Sequence, residues 1–541
     1  MRLAAKGPET LLATENGGLY SLIWAMKQQQ LISRGSLSRM IKTAEELWHN
    51  QDYPKAIEVM ERVNRLAPAH IPALLELGHF QGMRYNYAAA ERCFEKAVRV
   101  APDRTNVLAM AGLHCRGFDH YEMAKRYFER AIAEKDVSAD TFVKLAELYE
   151  RFRCLEEASD LVERALQLDK DCALALLVRA RLRRLTGSVA EAETIVRSLV
   201  KKTDQQSWST RIRGWYELGA ILDKQGRYDE AMAAFLEAKA LIRPNAGNPL
   251  ARQERIHARL KELEKQISPE MVQHWMKEGQ SLEPKRRLAL LCGHPRSGTT
   301  LLEQVLDSHP DIISAEETVL FVYEVVSPLR RGFPDDASML AVLEAASPDK
   351  SKQLRDDYFR AAELLLGDQI GGRLLIDKNP SLTTLVLTAV RVFPEIKFLT
   401  ALRDPRDVVL SCFMQPLPLN PVSAMFLSLE GTVKEYDSTM GLWRAAAPAL
   451  RNCTIEVRYE EMVADLESLS RQVLEFLNVP WDARVLRFNE YARQKLVRSP
   501  TYADVAKPIT KGAIGRWRNY QKYLEPYLEK LAPFVDAFGY G

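Results

Sequence analysis

Residues 293–300 read GHPRSGTT, the densest group of chemistry-bearing side chains in the protein. Gly293 and Gly298 bracket a tight loop, Arg296 adds a charged fork, and Ser297, Thr299 and Thr300 add hydroxyl donors. The residues just before it, 287–292, are mostly apolar and lack a turn former, which predicts a short buried strand. From Thr300 onward Leu301, Leu302, Val305 and Leu306 recur at helical spacing. Strand, loop and helix in that order aim backbone N–H groups and the positive end of a helix dipole at one point, a ready site for a phosphate. The spacing approaches the nucleotide-binding pattern G-x-x-x-x-G-K-[ST], with Thr299 where the lysine would stand. In nucleoside triphosphatases that lysine reaches the outer phosphates, so its absence argues against hydrolysis of ATP or GTP.

Other chemical groups lie downstream. Glu316 and Glu317 stand in AEET, Lys378 in DKNP, Arg403 and Ser411 in LRDPRDVVLSC, and Tyr459 in RYEEM. Thr501 and Arg516 stand in the stretch at 499–520. The two adjacent acids are expected at a helix start, where such acids usually cap or face solvent. Arg403 is expected to end a strand, with Ser411 about two turns into the next helix.

PRSGTTL followed by LDSHP and EET resembles the 5′-phosphosulfate loop of the sulfotransferases, most closely the tyrosylprotein sulfotransferase branch. The resemblance implies transfer of a sulfuryl group from 3′-phosphoadenosine 5′-phosphosulfate (PAPS) without a metal. It assigns the loop residues Arg296, Ser297, Gly298, Thr299 and Thr300 to the donor, and Arg403 and Ser411 to its 3′-phosphate. Tyr459 matches the tyrosine that packs near the adenine, and Arg516 stands where the family has a cofactor-binding lysine. Glu317 matches the catalytic base, Arg296 and Lys378 supply positive charge at the reacting centre, and Thr501 replaces a catalytic serine. Gln415 departs from the family, which has an arginine there. His309, in the helix-ending LDSHP, is read as structural. The resemblance covers roughly 255 residues.

The elements that must position these groups follow from short apolar runs. Strands are expected at 374–378, 397–404 and 454–460, with helical stretches at 356–366 and 382–393 between them. That alternation implies a parallel sheet covered on both faces, with ligands gathered at the carboxyl ends of the strands. The expected fold is therefore α/β and P-loop-like in the second half of the chain.

The first half repeats itself. Ala56, Ala90, Ala124, Ala158 and Ala192 recur at steps of 34 residues, and Ala231 follows after 39. Four residues after each come Met60, Phe94, Phe128, Val162, Val196 and Phe235. A 34-residue period with small residues where paired helices touch is the tetratricopeptide signature, so an all-α superhelix is expected. The extra five residues are placed in a longer loop near 201–209. Such arrays commonly hold a peptide or partner protein, and a plain spacer explains the repeats equally well.

The chain thus reads as multidomain: a tail at 1–35 with one short helix around 19–26, the array at 36–250, a capping helix and linker at 251–285, and the sulfotransferase domain at 286–541. With 541 residues it is too long for a single core. A net charge of +3 with no long basic run gives no support for a nucleic-acid partner. Seven cysteines without a C-x-x-C pair support neither a zinc site nor a disulfide framework, and Cys292 is read as a small apolar residue. No apolar run is long enough to span a membrane, and a cytoplasmic location is the default, since the Golgi anchoring of animal tyrosylprotein sulfotransferases is not carried over. The functional expectation is sulfuryl transfer to an acceptor hydroxyl, protein tyrosine first. A sugar or small-molecule acceptor, or a scaffold with an inactive domain, are the alternatives.

Overall fold

The computed structural model describes residues 34–201, 207–334, 336–367, 370–494 and 509–541. The tail with its apolar patch at 19–26, most of the insertion at 201–209, and Thr501 lie outside the described residues. The chain divides into two compact units, one ending at Val137 and the other running from Ser138 to Gly541.

In the first unit the described residues form three helix pairs: Arg34–His49 with Tyr53–Leu66, Ile71–Met83 with Tyr87–Val100, and Arg104–Gly117 with Tyr121–Ile132. The alanines that keep register, Ala56, Ala90 and Ala124, are fully buried. The second and third pairs fit a large side chain to a small one. The Phe94 ring fills the space that a Cβ at Gly78 would need, and a Cβ at Gly112 would lie 2.9 Å from the Phe128 ring. The turns within the pairs carry a second period: Gln51, Tyr85 and Asp119 have φ of 61°, 63° and 58° and stand 34 residues apart. That left-handed residue reverses the chain between the two helices, although none of the three is glycine.

The second unit continues the pattern with Ala139–Arg151 and Leu155–Leu168, Ala173–Leu185 and Val189–Lys201, and Trp208–Lys224 and Tyr228–Ile242. Its turn residues Arg153, Gly187 and Gly226 have φ of 64°, 98° and 75°. Ala146 and Ala180 occupy the small position where Val162 and Val196 replace phenylalanine, and Gly219 returns with Phe235. Small with large and medium with medium keeps the packed volume nearly constant along the array.

The next helix, Gly247–Gln266, is charged, as expected of a cap, yet it buries Gln253 and His257. Both reach Glu435 in the helix Leu429–Leu450: His257 Nε2 lies 2.6 Å from Glu435 Oε2, and Gln253 Nε2 donates to the same oxygen at 2.9 Å. Lys239 of the last repeat is buried and donates to the Phe426 carbonyl at 2.6 Å. Within this unit the last repeat and the sheet-bearing part share one interior.

The sheet has five parallel strands: β1 Leu288–Gly293, β2 Ile312–Glu316, β3 Leu374–Lys378, β4 Lys397–Leu402 and β5 Thr454–Arg458. Their order is β2-β3-β1-β4-β5. β1 to β3 are buried along their whole length, which explains the unbroken apolar run of β1, while β2 and β3 bring Glu316, Asp377 and Lys378 into the interior at their carboxyl ends. β2 was not expected: Glu316 ends this strand and does not open a helix. The expected helix at 382–393 begins as a 3₁₀ turn, Pro380–Leu385, and becomes α-helical only over Val386–Val392. Pro380 and the Asn379 cap tighten that first turn. Because all strands run the same way, their carboxyl ends meet along one edge, and the stretches HPRSGTT, AEET, DKNP, LRDPRD and RYEEM all follow from it.

Candidate active site

The loop from β1 is shaped by two glycines. Gly293 has φ 131°, and a Cβ there would run into the Ala401 carbonyl oxygen. Its N–H donates to Thr383 Oγ1 at 2.7 Å, which ties the loop to the turn after β3. Gly298, φ 95°, is the N-cap of the helix Thr299–Asp307 and offers no side-chain acceptor to the first turn. The first N–H groups of a helix have no intrahelical acceptor, so a side-chain-less cap leaves this turn suited to an anion. A Cβ at Gly298 would also lie 2.7 Å from the Tyr459 ring, which packs against the loop. Ser297, Thr299 and Thr300 are buried in the loop and first turn. Arg296 is held left-handed at φ 73°, a costly conformation for a residue that carries a Cβ, and its Nε donates to Ser411 Oγ at 3.0 Å.

Arg403 follows β4 and joins the same group. Its Nη1 donates to the Arg296 carbonyl at 3.2 Å, its Nη2 to the Ala513 carbonyl, and its guanidinium lies 5.1 Å from the Tyr459 ring centroid. Asp407, 3.8 Å from Arg403 Nη2, accepts the N–H groups of Gly515 and Trp517 at 2.7 and 2.8 Å. Burial pushes the Asp407 carboxyl up, with Arg403 opposing it. The buried Nε of Arg403 has no hydrogen-bond partner among the described residues. Arg296, Ser411, Arg403 and Tyr459 are thus brought together. Arg516 is turned to a different partner: it forms an ion pair with Asp223 of the last repeat at 2.7 Å and points Nη2 at Met414 Sδ, 3.5 Å away.

Lys378 and Glu317 meet at the ends of β3 and β2. Lys378 Nζ lies 2.8 Å from Glu317 Oε1, and the Glu317 N–H donates to the Lys378 carbonyl at 2.7 Å. Glu317 sits at φ 48°, a second left-handed residue without glycine's freedom. Its turn is pinned by Asn379, whose Nδ2 donates to the Thr318 carbonyl at 2.9 Å. The Lys378 side chain is 0% exposed, whereas Glu317 is 31% exposed, so only the acid can meet an arriving acceptor without rearrangement. Burial alone would lower the Lys378 ammonium, but Glu303, Glu317 and Glu316 outweigh it and hold the ammonium well above the usual lysine range.

Glu303 is the residue that sequence reading passed over. It is completely buried in the helix Thr299–Asp307, with Oε2 3.1 Å from Lys378 Nζ and Oε1 accepting from Ser314 Oγ at 2.5 Å. The available signal was an acid between Leu302 and Val305, on the apolar side of a helix that also buries Gln304 and Asp307. His309 gives both ring nitrogens to backbone, Nδ1 to the Asp311 N–H at 3.0 Å and Nε2 to the Pro480 carbonyl at 2.8 Å. That leaves it no atom for a substrate proton. Burial pushes the Cys292 thiol up to about 11 and lowers His294 to about 4, so neither is a charged group at neutral pH. Among the described residues no cluster of three His, Cys, Asp or Glu could hold a metal ion, and no helix is long and apolar enough to cross a membrane.

Residues 289–483 match the sulfotransferase family model, and residues 143–207 and 212–245 match tetratricopeptide repeat models. An uncharacterized protein of Aquifex aeolicus (strain VF5) is 24% identical over 387 residues, covering 70% of this chain and 48% of that protein. Protein-tyrosine sulfotransferase A of Caenorhabditis elegans is 25% identical over 262 residues, covering 46% of this chain and 66% of that protein. The chain therefore spans less than two thirds of the length of either relative. Among solved structures, the sulfotransferase domain from the Synechococcus PCC 7002 olefin synthase is 21% identical, covering 46% of this chain and 98% of that domain with a TM-score of 0.30. By its repeats and its sheet domain, the chain joins tetratricopeptide repeats to a domain of the sulfotransferase family.

Proposed function

We propose that the protein transfers a sulfuryl group from PAPS to an acceptor hydroxyl, and that the acceptor is a tyrosine of a protein or peptide. The observation that carries this reading is the Lys378–Glu317 pair at 2.8 Å, set at the same sheet edge as an anion-type loop. A phenol has a pKa of about 10, so a carboxylate that takes its proton is worth roughly a hundred- to ten-thousandfold in rate. A cation fixed beside the reacting centre stabilises charge that develops there. Glu317 and Lys378 are these two groups.

The residues present fit an anionic donor. The side-chain-less cap at Gly298 and the buried Nε of Arg403, unpartnered among the described residues, both ask for an acceptor. When bound, PAPS supplies the activated sulfuryl group and a phosphate leaving group. Ser297, Gly298, Thr299 and Thr300 would hold the 5′ side through the loop and first helical turn. Arg403 and Ser411 would hold the 3′-phosphate, Tyr459 would cover the adenine, Thr501 would add a hydroxyl donor, and Arg516 would join them only by leaving its Asp223 partner. Arg296 bridges both groups, since its Nε already donates to Ser411. Glu317 removes the acceptor proton while Lys378 holds positive charge at the centre. In this reading the array at 36–250 recruits the acceptor protein and the transferase part spans 286–541, in a cytoplasmic protein. Support for tyrosine comes from the relative's printed name.

Incubation with labelled PAPS and a panel of tyrosine peptides, sugars and simple phenols, in the presence of a metal chelator, tests the proposal. Label on tyrosine peptides is the expected result. Preference for sugars over every peptide moves the acceptor class, and no labelling of any acceptor removes the reading.

A further inference from the structure

Lys378 is buried between two carboxylates that differ in one respect. Glu317 is partly exposed and placed to meet an acceptor, whereas Glu303 is sealed inside the domain. At rest the three groups carry one positive and two negative charges. When Glu317 takes a proton from an acceptor hydroxyl, that proton ends on its carboxylate and its charge disappears. Glu317 then no longer offsets the ammonium. A buried ammonium left without a counter-ion is strongly unfavourable, which would raise the barrier at the moment of transfer. Glu303 removes that problem: its carboxylate lies 3.1 Å from the ammonium, never meets the acceptor and keeps its charge throughout, with the buried Glu316 adding a further negative charge nearby.

We propose that Glu303 is a positioning residue for the transfer step: the permanent counter-ion that fixes the Lys378 ammonium while Glu317 is neutralised. The geometry supports a fixed rather than an exchangeable partner. Glu303 Oε1 is anchored by the Ser314 hydroxyl at 2.5 Å, and Ser314 in turn donates its N–H to Asp307 Oδ1 at 2.7 Å. These bonds tie the helix after the anion loop to β2, the strand that leads directly into Glu317. One carboxylate therefore links the loop, the cation and the base. Lys378 is also held at backbone level, since β2 and β3 place Glu316 beside it in register. This inference rests on the sulfuryl-transfer reading given above.

The test compares wild type, E303Q and E303D in transfer from PAPS to a tyrosine peptide across pH, with binding of 3′-phosphoadenosine 5′-phosphate measured beside it. E303Q keeps the shape and one acceptor oxygen for Ser314 but removes the charge. The expected result is unchanged product binding, a kcat lowered about a hundredfold as the ammonium loses its fixed place, and an alkaline limb moved to lower pH. The limb moves because a buried lysine with one carboxylate fewer gives up its proton more easily. E303D, which keeps the charge, restores part of the rate and returns the limb toward wild type. An E303Q profile whose limb coincides with wild type overturns the proposal, whatever its rate, because loss of folded protein lowers amplitude without moving a limb. A wild type that transfers nothing removes the functional reading, and a wild type that transfers normally beside an unmoved E303Q limb removes only the role of Glu303.

Discussion

Asp223, near the end of the helix Trp208–Lys224, holds the Arg516 guanidinium at 2.7 Å with one carboxylate oxygen and accepts the Tyr520 hydroxyl at 2.7 Å with the other. These partners lie almost 300 residues apart in sequence. Asp229 repeats the arrangement one helix later, with Lys522 at 2.8 Å and Tyr523 at 3.0 Å. The last repeat is thereby part of the interior that carries the site. Deleting residues 1–137 is expected to leave a protein with a single cooperative thermal transition, whereas deletion to 250 removes Asp223, Asp229 and Lys239 and abolishes that transition. Circular dichroism melting of the two truncations decides it, and a cooperative melt of the shorter piece at the full-length temperature would contradict the argument.

Arg403 is expected to govern donor affinity more than chemistry. Its fork serves the Arg296 and Ala513 carbonyls at once and stacks on Tyr459, an arrangement that a lysine point charge cannot reproduce. Arg403→Lys should weaken binding of 3′-phosphoadenosine 5′-phosphate by roughly ten- to a hundredfold, in line with about 1.5–3 kcal/mol for a hydrogen bond to a charged group. The kcat at saturating donor should change little. Calorimetry with each variant, in chelator, reads the affinity directly. A tight-binding variant with a collapsed kcat would reverse the assignment.

What could be read before any coordinates depended on how local each signal is. The loop at 293–300, the strands carrying DKNP and LRD, and the 34-residue period lie in short contiguous stretches, and each was legible. β2 was not, because IISAE is brief and its last residue, Glu316, together with Glu317 imitates a helix start. The turn column at Gln51, Tyr85, Asp119, Arg153, Gly187 and Gly226 shares a backbone conformation and no side-chain chemistry, so residue types conceal it. Glu303 and Asp223 were hidden for another reason. Each acts on a partner brought near only by the tertiary fold, and an isolated acid in a helix carries no mark of the cation it will meet.

Asp377 supplies a pH test of stability. It is fully buried beside Lys378, with the Tyr358 hydroxyl donating to Oδ2 at 2.9 Å. Burial pushes its carboxyl up to about 7, against opposing contributions from Tyr358 and Lys378. An unfolded aspartate titrates near 3.9, so between about 4 and about 7 the folded chain binds a proton that the unfolded chain does not. This contribution makes stability fall as pH rises through that window and level off above it. Asp377→Asn removes the slope, and should be more stable than wild type at pH 8 by on the order of a few kcal/mol, with the difference shrinking toward pH 5. Urea denaturation at both pH values measures it. An advantage of equal size at both would show that the titration of Asp377 is not its source.

Glu317→Gln isolates the proposed base. The substitution keeps the side chain's shape and its contact with Lys378 while removing the atom that takes a proton. Transfer to a tyrosine peptide should therefore fall by roughly a hundred- to ten-thousandfold with product affinity unchanged. Glu316→Gln provides the contrast. Its carboxylate ends β2, buried beside Lys378 in the ladder, so it has no exposed path to an acceptor, and its loss should lower transfer far less. The acceptor distinguishes the two roles further. A simple phenol of lower pKa needs less help to lose its proton, so replacing a tyrosine peptide with nitrophenol should narrow the gap between Glu317→Gln and wild type if the residue acts as a base. If the gap keeps its full size across phenols of different acidity, Glu317 orients the acceptor instead, and proton removal must be assigned to another group.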